Sequence, residues 1–241
     1  MVRRSFLIAL LALGSFCQAQ DSPTLARTTT LTALFPPDKA KSLADTLPPD
    51  KPLRYRVRIP QAESPSGVLV FVKSGESGEL PRGDWAAQLD AQNLIWIAAD
   101  DFGNQHPRSQ RILAAIAGLK LMESTEKIDS KRFYIGGISG GGGIASQIMT
   151  RFPQYFSGAL FIVGAEDWTA AEEPLLPRIA ANRYVFITGS ADFNQLHMQR
   201  MYKKYRGAGI TQALLMDLRH FGHQFPNAEQ LGQAIDFLDV R

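Results

Sequence analysis

The sequence predicts an α/β domain, a mostly parallel central sheet with helices on both faces. Three observations carry that expectation. From residue 55 onward, strand-like and helix-like segments alternate along the chain. Several of the strand-like segments are apolar throughout, as strands buried on both faces must be. The helix-like segments place apolar residues on one face only.

The elements follow in order. Tyr55–Ile59 is a first strand, and Gly67–Val72 is a second that is apolar from end to end. A short helix over Trp85–Ala91 leads to the strand Leu94–Ala98. The helix Ser109–Met122 carries Ile112, Ala115, Ile116 and Leu119 along one face. The strand Phe133–Ile138 runs into Ser139 and four glycines, Gly140 to Gly143, and apolar residues then resume at helical spacing at Ile144, Ile148 and Phe152. Ala159–Val163 and Tyr184–Thr188 are further buried strands. The helix Gln195–Tyr205, the strand Ala213–Asp217 and the helix Ala228–Leu238 complete the alternation.

The ends of the chain read differently. Arg3 and Arg4, an apolar run from Phe6 to Phe16 and the small-residue site before Gln20 form the pattern of a signal peptide over 1–19. The run is too short for a membrane-spanning helix, so no integral span is expected after cleavage. Export places the protein in the periplasm or outside the cell. Acylation of Cys17 competes less well, because Phe16 precedes it. Residues 20–53, rich in Thr, Pro, Asp and Lys, show neither sheet nor helix period and are expected as an N-terminal extension to a domain over 54–241.

Composition excludes several function classes. The formal charge of +3 falls to +1 when Arg3 and Arg4 leave, so no electrostatic footprint for nucleic acid remains. Cys17 is the only cysteine, which removes disulfides, thiolate catalysis and cysteine-ligated zinc from the mature chain. The glycine run contains neither G-x-G-x-x-G nor a Gly-Lys pair, so nucleotide binding is not expected, and neither is any metal or other cofactor.

Gly137-Ile138-Ser139-Gly140-Gly141 matches G-x-S-x-G, and its placement between a strand and a helix is what gives the match weight. A serine in that tight turn projects its hydroxyl above the sheet. Four glycines are a poor start for a helix, at about 0.8–1.0 kcal/mol each relative to alanine, which points to a steric requirement. A serine nucleophile needs a base and a carboxylate to orient it, in the chain order Ser, acid, His. Asp192 follows the strand ending at Thr188, and His223 follows the last strand and Gly222, whose freedom would permit a sharp loop. Asp167 is the rival acid. Among the other histidines, His197 lies on a helix, where a surface or packing role is expected, whereas His106 and His220, the second candidate for the base, are expected to line the substrate pocket; Trp168 would either wall that pocket or pack in the core. The oxyanion would be met by the backbone N–H of Gly140 and by a second donor, Ser74 or Gly75, on a flexible loop after Gly67–Val72.

Together the Gly-x-Ser-x-Gly elbow, Asp192 and Gly222-His223 resemble the α/β-hydrolase superfamily over residues 55–241. Ala98–Asn104, Gly137–Gly142 and Thr188–Asn194 look like those of small exported bacterial esterases and polyhydroxybutyrate-depolymerase-like hydrolases. The resemblance implies an α/β-hydrolase fold and a metal-independent cleavage of small or polymeric carboxylic esters through an acyl-enzyme on Ser139, with Asp192 and His223 completing the triad. A serine peptidase or amidase on the same triad is the second reading. Lys73-Ser74-Gly75 departs from the His-Gly often found after the oxyanion strand, which keeps open a third, a catalytically inert binding protein. About twenty residues separate Val163 from Tyr184, where many superfamily members insert a lid, so a minimal lid or none is expected. The sequence sets no oligomeric state.

Overall fold

The computed structural model describes residues 24–81 and 83–240. The expected signal peptide, including Cys17, lies outside these residues. One eight-stranded sheet organises the chain in the order β1-β2-β4-β3-β5-β6-β7-β8. The strands are β1 (Thr24–Thr29), β2 (Leu53–Arg58), β3 (Ser66–Val72), β4 (Leu94–Ala99), β5 (Ile128–Ile138), β6 (Gly158–Ile162), β7 (Arg183–Gly189) and β8 (Ala213–Leu218). β2 is antiparallel to both β1 and β4, and every other pairing is parallel, so β2 alone runs against the rest.

The pleat of the central strands sorts their side chains between two cores. Val68, Val70 and Val72 of β3 join one cluster, while Leu69 and Phe71 join the other. Against the second face pack α3 (Trp85–Ala91) and α8 (Ala228–Asp239), through Trp85, Leu89, Leu231, Ile235 and Leu238. The first face is covered by α4 (Arg108–Thr125), α5 (Gly140–Arg151), the short α6 (Leu176–Ala180) and α7 (Gln195–Gly207). A capping box starts α8: the Asn227 side chain accepts from the Gln230 N–H, and the Gln230 side chain accepts from the Asn227 N–H.

The N-terminal segment corrects the expectation for 20–53. Thr24–Thr29 forms an edge strand on β2, and α1 (Leu31–Leu34) and α2 (Pro37–Ser42) follow it. Leu31 and Leu47 are buried in the first core. An edge strand that buries no residue fully needs no apolar alternation, and helices of four and six residues are too short to display a period. Between β6 and β7 stand only α6 and a 3-10 turn at Glu173–Leu175, so there is no large lid. Among the described residues, no helix is long and apolar enough to cross a membrane.

Candidate active site

Ser74 and Gly75, Ser139 and Gly140, Asp192 and His223 follow the carboxyl ends of β3, β5, β7 and β8 in turn, where a parallel sheet presents its loops to ligands. Ser139 closes β5 and opens α5 with φ 55° and ψ −122°. Such a backbone is unfavourable for a residue with a side chain. Contacts on three sides hold it there. The Ser139 N–H donates to the Ile162 carbonyl at 2.9 Å, and the Ser139 carbonyl accepts from Gly143 at 3.2 Å. The Ser74 hydroxyl donates to the Ile138 carbonyl at 2.7 Å. The Ser139 hydroxyl makes no capping bond to α5, although serine is a favoured capping residue.

The glycines of the elbow are steric necessities. A Cβ on Gly141 would lie 2.0 Å from the Val72 carbonyl oxygen, and one on Gly142 would lie 2.1 Å from that of Gly164. One on Gly164 would in turn lie 2.1 Å from the Ser139 carbonyl oxygen. The residue before Gly164, Val163, has φ 45°, a conformation that a β-branched residue adopts only under constraint. Its N–H donates to Ile187, and its carbonyl accepts from the Asn194 side chain at 2.8 Å.

Asp192 and His223 meet. Nδ1 of His223 lies 2.9 Å from Oδ1 of Asp192, and the carboxylate side chain is fully buried while the imidazole is about a quarter exposed. The Asn194 N–H donates to Oδ1 at 3.1 Å, and the buried Thr188 hydroxyl donates to Oδ2 at 2.8 Å. Below His223, Phe225 packs on Trp85 and Phe71 with ring centroids 5.7 and 6.2 Å apart. The Trp85 indole N–H donates to the Pro226 carbonyl at 2.7 Å. The loop bearing His223 is thereby fixed to the core.

Asp167, the rival acid, instead pairs with Lys204 and accepts from the Trp168 N–H, and it has no part in this cluster. His197 contacts the Ala165 carbonyl, the packing role expected of it on a helix. His106 lies in the loop after β4, with Nε2 3.4 Å from the Glu76 carboxylate and its ring against Phe102. His220 is exposed and donates its backbone N–H to the Ser190 hydroxyl. It also corrects the reading of Gly222: the left-handed turn of this loop falls on His220, with φ 58°, and not on the glycine. Trp168 takes the packing alternative. It is 7% exposed and packs edge-on against Tyr205, ring centroids 5.0 Å apart, inside the first core, so it does not wall an open site.

The loop after β3 is pinned rather than flexible. Besides the Ser74 hydroxyl bond, the Ser74 carbonyl accepts from Asn104 at 2.8 Å, the Glu76 carboxylate accepts from Gly103 at 3.1 Å, and the Gly78 N–H donates to Asp100 at 2.7 Å. Residues 74 and 75 are thus held beside the elbow. Lys73 is half-buried, donates to the Glu79 carbonyl at 2.6 Å and lies over the Phe225 ring. Burial pushes its ammonium pKa down, against the opposing pull of Glu79 and Asp100. Gly140 is the first residue of α5, where backbone N–H groups lack intrahelical partners. A Cβ there would lie 2.4 Å from Oδ1 of Asn104, so Asn104 sits directly over Gly140.

Asn104, Thr188, Phe193 and Asn194 are the site residues that sequence reasoning passed over. Asn194 and Thr188 flank Asp192 closely in the chain, and that proximity was the available signal. An apolar cavity of about 280 Å³ lies elsewhere, lined by Phe35, Leu43, Ile112, Ile116, Phe152 and Tyr155 among others; neither Ser139, Asp192 nor His223 borders it.

Comparison with known proteins agrees with this architecture. Residues 103–216 match the prolyl oligopeptidase family (Peptidase_S9), a stretch that contains Ser139 and Asp192 and stops short of His223. No curated protein matches the sequence. The fold is similar to that of the fluorophosphonate-binding serine hydrolase F of Staphylococcus aureus, with TM-score 0.63 and 12% identity over 91% of this chain and 100% of the other. It is equally similar to the dienelactone hydrolase of Anabaena variabilis, with TM-score 0.63 and 15% identity over 90% of this chain and 97% of the other. The S-formylglutathione hydrolase of Staphylococcus aureus gives TM-score 0.61 and 11% identity, over 90% and 95%. The chain has the α/β-hydrolase fold, and between Gly103 and Met216 its sequence is similar to the prolyl oligopeptidase family.

Proposed function

We propose that the protein is a serine hydrolase that cleaves carboxylic esters, with Ser139 as nucleophile, His223 as general acid–base and Asp192 as orienting carboxylate. The observation that carries this reading is the buried Asp192 carboxylate bonded to Nδ1 of His223, on loops that share one sheet edge with the strained Ser139 elbow. With Nδ1 taken by Asp192, proton exchange runs through Nε2.

In the first step, Ser139 Oγ attacks the ester carbonyl and its proton passes to His223. The developing oxyanion is met by the Gly140 N–H at the start of α5 and by a backbone donor of Ser74 or Gly75, which the Ser74–Ile138 bond holds beside the elbow. The imidazolium then gives its proton to the departing alcohol. Water, activated by the same imidazole, releases the acid. His106 and His220, on loops at the same edge, are assigned to the rim of the substrate site. The basic start, apolar run and small-residue site of residues 1–19 support export to the periplasm or the medium.

A peptidase on the same triad is the second reading, favoured by the match of residues 103–216 to the prolyl oligopeptidase family. A matched panel of short-chain esters and peptide amides, assayed on wild type and Ser139→Ala, separates the two. Ester cleavage that disappears in the variant supports the esterase; cleavage confined to amides favours the peptidase; turnover that persists in Ser139→Ala defeats both.

A further inference from the structure

Among the described residues, the large hydrophobic side chains exposed to solvent are Phe193 at 80%, Leu196 at 68% and Val240 at 58%. Two of the three fall within four residues of one another, immediately after Asp192. The Phe193 ring lies flat on the His223 imidazole, with centroids 4.2 Å apart and planes 18° from parallel. Leu196 sits in the first turn of α7. Beside it, the Gln195 side-chain amide is turned away to donate to Asp217. Surface hydrophobics scattered singly are ordinary, whereas one stacked on the His223 imidazole, with a second three residues on in the chain, marks a contact surface.

We propose that Phe193 and Leu196 form the subsite for the leaving-group alcohol, and that the preferred substrates are esters of apolar alcohols. The inference rests on the reading of His223 as general acid. When the tetrahedral intermediate collapses, the bond between the acyl carbon and the alcohol oxygen breaks, and Nε2 gives its proton to that oxygen. The oxygen must then lie within hydrogen-bond reach of Nε2. Whatever group it carries projects past the imidazole, whose one face is already covered by Phe193. The acyl carbonyl oxygen is held by the proposed donors at Gly140 and Ser74. An apolar alcohol therefore buries its surface against Phe193 and Leu196, and a small or polar one does not.

The reverse step gives a second activity. An apolar alcohol seated on the same two side chains competes with water for the acyl-enzyme. Its oxygen bonds to the acyl carbon as the bond to Ser139 Oγ breaks, and its proton passes through His223 to Oγ. The products are a new ester and free enzyme.

The test compares wild type, Phe193→Ser/Leu196→Ser and Phe193→Tyr on methyl, butyl and benzyl acetate, and on methyl esters of lengthening acyl chain. Expressing each result as the benzyl-to-methyl ratio of kcat/KM, variant against wild type, cancels the intrinsic reactivity of the two alcohols. That ratio is expected to fall about tenfold in the double serine variant, the effect of withdrawing some 50 Å² of apolar contact, and to survive in Phe193→Tyr, which keeps the ring. The acyl-length series is expected to keep its order in all three proteins. Added benzyl alcohol is expected to divert the acyl-enzyme to benzyl ester in wild type and much less in the double variant.

An unmoved ratio in a double variant that still reacts with a fluorophosphonate and cleaves methyl acetate would overturn the inference and leave the triad reading intact. A wild-type dimer that the double variant dissolves, with the ratio unmoved, would assign the patch to self-association and overturn it likewise. Wild type that neither cleaves esters nor takes the probe would overturn both.

Discussion

Oδ1 of Asp192 lies 2.9 Å from Nδ1 of His223, while Oδ2 of the same buried carboxylate accepts from Thr188 at 2.8 Å. The two oxygens thus have separate partners: one holds the His223 imidazole, and the other fixes the carboxylate to β7. Asp192→Asn is expected to lower kcat by roughly 10³–10⁴-fold with little loss of fold, because an amide in that place favours the wrong tautomer. Thr188→Val leaves Oδ2 buried without its donor and is expected to cost about 1–3 kcal/mol of stability. Steady-state kinetics and urea unfolding read the two effects separately.

Ser139 has φ 55° and ψ −122°, a backbone that glycine adopts freely and alanine does not. Ser139→Gly and Ser139→Ala are both expected to be inactive, with the glycine variant more stable than the alanine variant by about 1 kcal/mol. Equal unfolding midpoints for the two would show that the elbow stores no strain.

A methyl group on Gly164 would lie 2.1 Å from the Ser139 carbonyl oxygen and 2.8 Å from its Cα, whereas one on Gly207, at the end of α7, would meet nothing within 4 Å. Gly164→Ala is expected to destabilise by at least about 1–3 kcal/mol and to displace the nucleophile. Gly207→Ala is expected to be neutral or slightly stabilising. Denaturation midpoints check the contrast.

Glu172 anchors the segment between β6 and β7. Its carboxylate accepts from the Thr169 hydroxyl and N–H at 2.6 and 2.7 Å and meets the Arg151 guanidinium at 3.1 Å. These hydrogen bonds, those from Thr169 foremost, hold its pKa below the usual carboxylate range. Because the folded value is depressed, the stabilisation is present above the unfolded value, about 4.3, and is lost as pH falls through the folded value. The stability advantage of wild type over Glu172→Gln is therefore expected to be full at neutral pH and to shrink below about pH 4. An advantage that grew on acidification would contradict the assignment.

The seven strands from β2 to β8 were legible from their alternation with helices, several of them as apolar runs, and Ser139, Asp192 and His223 as residues past strand ends in a fixed order. What escaped has a common cause. The Thr24–Thr29 edge strand buries too little to leave a pattern. Trp168 stayed open between site wall and core because sequence does not show that Tyr205, 37 residues on, receives its ring. Asn104 reaches Gly140 only through the pinning of the β3 and β4 loops to each other, and Asn194 reaches Val163 across two strand ends. Position along one strand is written locally; contacts between loops of different strands are not.

The central claim is that Ser139 is an activated nucleophile, and covalent labelling with a fluorophosphonate tests it most directly. Wild type is expected to gain one phosphonyl group per chain on Ser139, much more slowly in His223→Ala and not at all in Ser139→Ala. An unlabelled wild type, or a label that persists in Ser139→Ala, would contradict it.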